Sequence, residues 1–347
     1  MNQQDNKLIG RWLLLGVIML TIQVLLGGIT RLTGSGLSIT EWKPIIGLIP
    51  PLNEEAWQVA FEKYQSIAQY KVLNTDFSLA DFKFIFFWEW FHRNWAHFIG
   101  FAFIFPFIYF IAKKKFNKEI VPKLAGLFIL GVGQGFIGKI MVESGLNDED
   151  IYVSHIRLAI HFISALILIV FTYWFALGKL VDEKDKIYNP AFKGFTWGTI
   201  ALLGLQLVYG AFMAGLKAAT VAPTWPSING DYLPAAVYNQ SWINHPINIH
   251  FIHRGLAYII LLLILIWTWR ASKLGASSSL LFRKYQFVPL LFVSVQVVLG
   301  IFAVLLSTKL ARNSFGPFEW MAQLHQLIAM FLLMSLVWAA FIFSKGK

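Results

Sequence analysis

The sequence predicts an all-α membrane protein whose eight transmembrane helices form two tandem four-helix bundles related by a pseudo-twofold axis. Three observations predict it. Of 347 residues, 57% are hydrophobic and 14% charged, which is more apolar surface than a soluble domain can bury. Eight apolar stretches are each long enough to cross about 30 Å of hydrocarbon at about 1.5 Å per residue. Finally, one helical hairpin recurs four times, with glutamine and glycine four apart near the outer end of its first span and histidine at the outer end of its second.

The first span, 9–29, carries Gln23 and Gly27. It is longer than a signal-peptide core, and no small-residue cleavage site precedes Thr30 and Arg31, so it is expected to stay in the membrane. A long outer connection, 31–87, follows. Asn53, Glu54 and Glu55 read there as a helix start, and Trp57, Phe61, Tyr64 and Ala68 recur at helical spacing. That pattern predicts an amphipathic helix lying on the membrane surface or over the first bundle and, in a sharper version, a lid over the site that bundle holds.

Span two, 88–112, opens with Glu89, His92 and Arg93; span three, 122–142, carries Gln134 and Gly138. A short acidic connection, Glu143 to Asp150, leads to span four, 156–178, with His161 near its start. The second half repeats the order. Span five, 194–215, holds Gln206 and Gly210; span six, 250–270, holds His253 and Arg254; span seven, 287–307, holds Gln296 and Gly300; span eight, 320–343, holds His325. The division falls at 1–185 and 186–347. Four spans is an even number, so both halves have the same orientation and their axis runs along the membrane normal.

The net charge of +11 reflects topology. Lys7 and Arg11, then Lys113 to Lys115, Lys118 and Lys123, then Lys179 to Lys193, then Arg270, Lys273, Arg283 and Lys284, and finally Lys345 and Lys347 occupy alternate ends of the spans. The positive-inside rule makes that side cytoplasmic, with both termini inside and the histidines at the outer face of a cytoplasmic (inner) membrane. No aromatic-basic module for nucleic acid accompanies the charge. With no cysteine in the chain, imidazole and carboxylate are the strong metal-binding side chains left.

Each half then offers two imidazoles from alternate helices, His92 with His161 and His253 with His325. Facing helices of a bundle are where cofactor sites are built, and a pair of imidazoles suits the two axial positions of a heme iron. Gln and Gly four apart share a helical face. Glycine there admits a flat macrocycle, and glutamine reaches a propionate or a ligand imidazole; packing alone also uses small residues at such interfaces.

The other histidines rank lower. His97 points elsewhere on its helix, His155 reads as a solvated interfacial residue, and His245 beside Pro246 reads as loop. His250 is a neighbour of His253 at i and i+3. Overlaying the halves places Glu89 opposite His250. Glu89 therefore breaks the repeat, either as a carboxylate beside a heme edge that accepts a proton or stabilises developing positive charge, or as a helix-capping carboxylate.

Several segments together resemble the heme A synthase family: Gly28 to Leu37, Glu41 to Pro44, Ile49 to Pro51, Glu89 to Arg93, Arg157 to His161, Ala214 to Leu216 with Trp225 and Pro226, and His253 with Arg254. The resemblance spans essentially the whole chain and is most specific in the first outer connection. It is to the cysteine-free subgroup shared by mitochondria and many Gram-negative bacteria. It implies oxidation of the C8 methyl of heme O to a formyl group, giving heme A for terminal cytochrome oxidases. It further implies that His92 and His161 flank heme O as substrate, that His253 and His325 ligate heme b, and that Glu89 assists catalysis.

The partners this implies are heme O synthase as substrate donor, an electron-transfer protein of unidentified kind, membrane lipid and a second copy of the chain, with no nucleic acid. Two imidazoles on the substrate iron leave no open position for oxygen. Either one ligand departs during turnover, or electrons leave through the ring to an outside acceptor and water supplies the oxygen. Two alternatives from other classes remain beside this one. A diheme b-type electron-transfer protein uses all four histidines but gives Glu89 no task, and a transporter would explain the duplication.

Overall fold

The computed structural model describes residues 3–43, 46–116, 118–275, 278–311 and 314–344; Pro44, Lys345 and Lys347, used above, lie outside them. Eight long helices carry the chain: α1 (Gln3–Leu32), α2 (Leu79–Ala112), α3 (Ile120–Glu143), α4 (His155–Leu180), α5 (Pro190–Gly215), α6 (Pro246–Ser272), α7 (Val288–Leu305) and α8 (Pro317–Ile342). All are long and apolar enough to cross a membrane, α7 together with the short helix Leu280–Tyr285 before it. Helices satisfy their own backbone, which is what a bilayer demands of a spanning segment. Among the described residues the extended structure amounts to one bridge, between Ile228 and Asp231.

Local sequence sets most helix starts. Asn189 caps α5 by accepting from the Phe192 N–H at 3.0 Å, with Pro190 in the first turn, where its missing N–H costs nothing. Pro246 and Pro317 open α6 and α8 in the same way. The largest departure from the expected boundaries is α2, which begins at Leu79, nine positions before the expected start at 88. Ser78 and Asp81 form a reciprocal capping box there, Ser78 Oγ accepting from the Asp81 N–H and Asp81 Oδ2 accepting from the Ser78 N–H at 3.0 Å. The extension raises α2 about 13 Å beyond its expected end.

In the first half α1 packs along α4 and α2, and α3 packs on α4. In the second half α5 packs along α6 and α8, and α7 packs on α8 and α6. Between the halves, α4 meets α5 and α8, while α8 also meets α1. The largest apolar core lies in the second half and its junction with α4, where Trp267, Ile264, Phe282 and Leu336 are wholly buried. Trp267 Nε1 donates there to Thr196 Oγ1 at 2.9 Å.

A helix forms at Glu54–Gln65, with Asn53 Oδ1 accepting from the Ala56 N–H at 2.8 Å. Its apolar face is not laid on a membrane surface. Phe61 stacks on Phe82 at 5.1 Å between ring centroids and Trp57 meets Phe86 edge-on at 4.9 Å, so the helix docks on the outward extension of α2. The outer layer is tied to the α3–α4 connection through a Lys71–Asp148 ion pair at 2.8 Å and a bond from the Ala68 N–H to Asn147 O.

Candidate functional site

One cavity of about 1390 Å³ reaches all four repeat-matched histidines, together with Gln23, Gln134, Gln206, Gln296 and their four glycines. Ordinary ligand pockets hold about 300–1,000 Å³, so there is room here for more than one occupant. Every glycine lies against the imidazole of its own unit. An ideal Cβ at Gly27 would stand 3.3 Å from His92 Nε2, at Gly138 3.0 Å from His161 Cε1, at Gly210 3.3 Å from His253 Cε1, and at Gly300 2.8 Å from His325 Cε1. The glycines thus make space for a histidine ring between neighbouring helices, a more specific task than admitting a macrocycle to bare backbone.

The glutamines differ by half. Gln296 Nε2 lies 3.1 Å from His325 Nε2 and Gln206 Nε2 lies 3.4 Å from His253 Nε2. In the first half Gln23 Nε2 donates instead to the His92 backbone carbonyl at 3.2 Å. The oxygens of all four glutamines, the Nδ1 atoms of His161 and His253, and both ring nitrogens of His250 are buried without a partner. Such orphaned groups are costly inside a protein and imply an occupant that satisfies them.

The second pair of imidazoles stands close together. The His253 and His325 ring centroids lie 6.3 Å apart with an interplanar angle of 67°. Two metal–nitrogen bonds of about 2 Å, plus the distance of about 1.1 Å from each nitrogen to its ring centre, bring two centroids about 6 Å apart. His325 Nδ1 donates to the Gln296 carbonyl at 3.0 Å, which fixes the tautomer and leaves Nε2, beside Gln296 Nε2, as the ring nitrogen with a lone pair to offer. Among the described residues no three His, Asp or Glu side chains converge to hold a bare ion. A metal held by two imidazoles would need further ligands of its own, as a heme supplies, so the residues fit that group.

Glu89 lies one turn outward of His92, lines the cavity and is buried. Its Oε2 accepts from Ser38 Oγ at 2.8 Å and from the Ile39 N–H at 2.9 Å, while Oε1 pairs with Arg93. Because α2 starts at Leu79, Glu89 is an interior residue of the helix, and the capping alternative is excluded. Arg93 also donates to the carbonyls of Ile39 and Glu41. Arg254 holds the other half's outer loop through the carbonyls of Thr224, Pro226 and Ser227. This pair of loop anchors was missed from sequence, although an arginine following histidine in both halves was its visible signal.

His250 is wholly buried and lines the cavity, in keeping with a neighbour of His253. His97 Nδ1 approaches its own helix's Arg93 carbonyl at 3.0 Å, and His245 caps α6. His155 departs from expectation. Rather than being solvated, it is half-buried between the halves, with Nε2 at 2.9 Å from Ile243 O and its ring edge-on to Phe212. The expected lid is also displaced: the cavity is covered by segments around Thr33 to Lys43 and Gln69 to Phe77, and not by the Glu54–Gln65 helix.

The family profile described as cytochrome oxidase assembly protein matches residues 10–337. The chain is 38% identical to the heme A synthase of Flavobacterium psychrophilum over 99% of its own length and 100% of that protein's. To the heme A synthase of Flavobacterium johnsoniae it is 36% identical over 99% and 100% of the two chains. To that of Rhodospirillum centenum it is 42% identical over 79% and 75%. Nothing in these relatives supports the electron-carrier alternative.

Proposed function

The chain belongs to the cytochrome oxidase assembly protein family, and from that premise we propose that it works as a heme A synthase, oxidising the C8 methyl of heme O to a formyl group. The observation that carries the assignment of sites is the asymmetry at one position of the repeat: Glu89 beside His92, and His250 beside His253. The first half, 1–185, is the bundle that alters its heme, with His92 and His161 flanking heme O. The second half, 186–347, is the bundle that retains heme b between His253 and His325. The repeated helix neighbours support a pseudo-twofold relation between them.

A heme b held by His253 and His325 would supply redox chemistry to the reaction. The chain's own contribution at the reacting ring is electrostatic. Both Glu89 oxygens are engaged by Ser38, Ile39 and Arg93, so the carboxylate is held in place and its charge faces the cavity. A fixed carboxylate favours positive charge growing on an oxidised ring substituent without having to reorganise. Arg93 and Arg254 close the outer loops over the two sites and limit access of bulk water.

The charge pattern supports an inner-membrane protein with both termini cytoplasmic and the histidines at the outer face. Heme O synthase is the natural donor, an outside protein takes the electrons, and self-association completes the partner set. The test is incubation of the purified protein with heme O and an electron acceptor, followed by mass analysis. Formyl product from the wild type, and little from Glu89→Gln with its heme b intact, is the expected result. Heme O returned unchanged by a protein loaded with heme b would overturn the proposal.

A further inference from the structure

The cavity is much deeper in the first half than in the second. On α1 it continues inward from Leu20 through Gly16 to Trp12, about 12 Å at about 1.5 Å per residue, whereas on α5 it stops at Leu203, the counterpart of Leu20. Trp12 forms the floor of this shaft: its Nε1 donates to the Ala102 carbonyl on α2 at 2.8 Å, and its ring lies 5.3 Å from Phe103.

The repeat shows what opens it. Gly16, Gly131 and Thr172 line the shaft; of their counterparts, Thr199 and Leu336 are buried outside the cavity, and Val293, also buried, closes its inner end on α7. A Cβ at Gly131 would meet nothing within 4 Å, and one at Gly16 would reach Thr172 Cγ2 at 3.7 Å, so larger side chains at these places would narrow the shaft. At the head of the shaft stand the unpartnered Gln23 Oε1, Gln134 Oε1 and His161 Nδ1, which mark the polar end of an occupant. The shaft's side is open between α2 and α3, where Phe101 and Phe128 line it and remain exposed.

We propose that this shaft is the subsite for the hydroxyethylfarnesyl chain of heme O, and that its depth is what makes the first half accept the tailed heme and the second half heme b. The inference rests on the assignment of the first half as the substrate site. An isoprenoid chain of three prenyl units is apolar along its length and needs a long, narrow apolar slot next to the macrocycle. Heme b has no such chain, and a packed core under its site excludes the tailed heme by volume. Opening toward the bilayer lets the tail enter sideways from lipid.

The experiment transplants the second half's residues into the first: Gly16→Thr, Gly131→Val and Thr172→Leu together, with Gly131→Val alone as the milder variant. The protein is produced with a heme O supply, and extracted hemes are quantified by chromatography and mass. Expected is a fall of about tenfold or more in tailed heme per chain, with heme b per chain unchanged and added heme b still taken up at the first site. A wild-type ratio of tailed heme in both variants would overturn the inference. So would loss of first-site binding for heme b as well as for tailed heme, which would indicate collapse of the site. Wild type devoid of any tailed heme would overturn the substrate-site assignment and this inference with it.

Discussion

The two halves share a histidine frame and differ in what surrounds it. In both, a glycine on one helix makes room for an imidazole on the next, and an arginine after the histidine holds an outer loop. Around the second pair the glutamines reach the imidazoles and the core beneath is filled by Leu336, Ile264 and Trp267. Around the first pair a glutamine bonds backbone instead, a carboxylate replaces His250, and the space beneath stays open. A duplicated frame has diverged here: on the proposed assignment, the packed copy retains its group and the hollow copy exchanges and alters it.

The junction shows the same divergence. Ala159 packs in an apolar cluster with Ala211 and Phe212 where α4 meets α5. At the equivalent junction, Gln323 and Gln326 of α8 donate to the Leu25 and Val24 carbonyls of α1 at 3.1 Å each. These glutamines flank His325, and the carbonyls lie between Gln23 and Gly27, so the helix that carries His325 is tied to the wall beside His92.

The largest effect is expected at the position where the halves differ in chemistry. Glu89→Gln should lower the rate of formyl formation about a hundredfold, the scale of removing one electrostatic stabiliser, while His250→Gln should change it less than about threefold. Initial rates by product chromatography check both. Next come the glycines. Gly300→Ala places a methyl 2.8 Å from His325 Cε1 and Gly27→Ala places one 3.3 Å from His92 Nε2. The first should cost about 1–3 kcal/mol of overpacking and release heme b, and the second should cost less. Thermal unfolding in detergent with heme absorbance reads both quantities.

A smaller effect belongs to the junction. Gln323→Ala removes one buried hydrogen bond and should cost about 1 kcal/mol, a drop of a few degrees in Tm, whereas Ala159→Ser at the matching junction should be near neutral. The smallest is confined to the first half's outer layer. Burial pushes the Tyr64 phenol up to about 12 from its ordinary value near 10, and its hydroxyl accepts from Asn74 Nδ2 at 2.7 Å. Folding therefore keeps the proton that the unfolded chain loses. That contribution is whole below pH about 10 and is lost as pH rises toward about 12. Alkaline titration by tyrosine absorbance should show this step in wild type and not in Tyr64→Phe.

Much of the frame was legible because it is local. Span length needs only a run of apolar residues, and the four histidines stood out because their Gln and Gly partners recur at fixed spacing. The start of α2 was missed because hydropathy ends at the hydrocarbon edge, while the Ser78–Asp81 box lies beyond it. What Arg93, Arg254 and Gln323 do depends on carbonyls distant in sequence, which no periodicity reports. The shaft was invisible for a related reason. Gly16 and Gly131 are ordinary membrane-helix glycines until depth and the aligned second half show that larger residues fill the same places.

The central claim is that the halves hold different hemes, and the heme content of two histidine variants tests it most directly. His161→Ala and His325→Ala are produced with a heme O supply, and the hemes extracted from each are identified by mass. If the halves hold different hemes, His161→Ala keeps heme b and loses heme O and heme A, and His325→Ala loses heme b. Loss of heme b from His161→Ala with tailed heme retained, or both hemes retained in both variants, would contradict it.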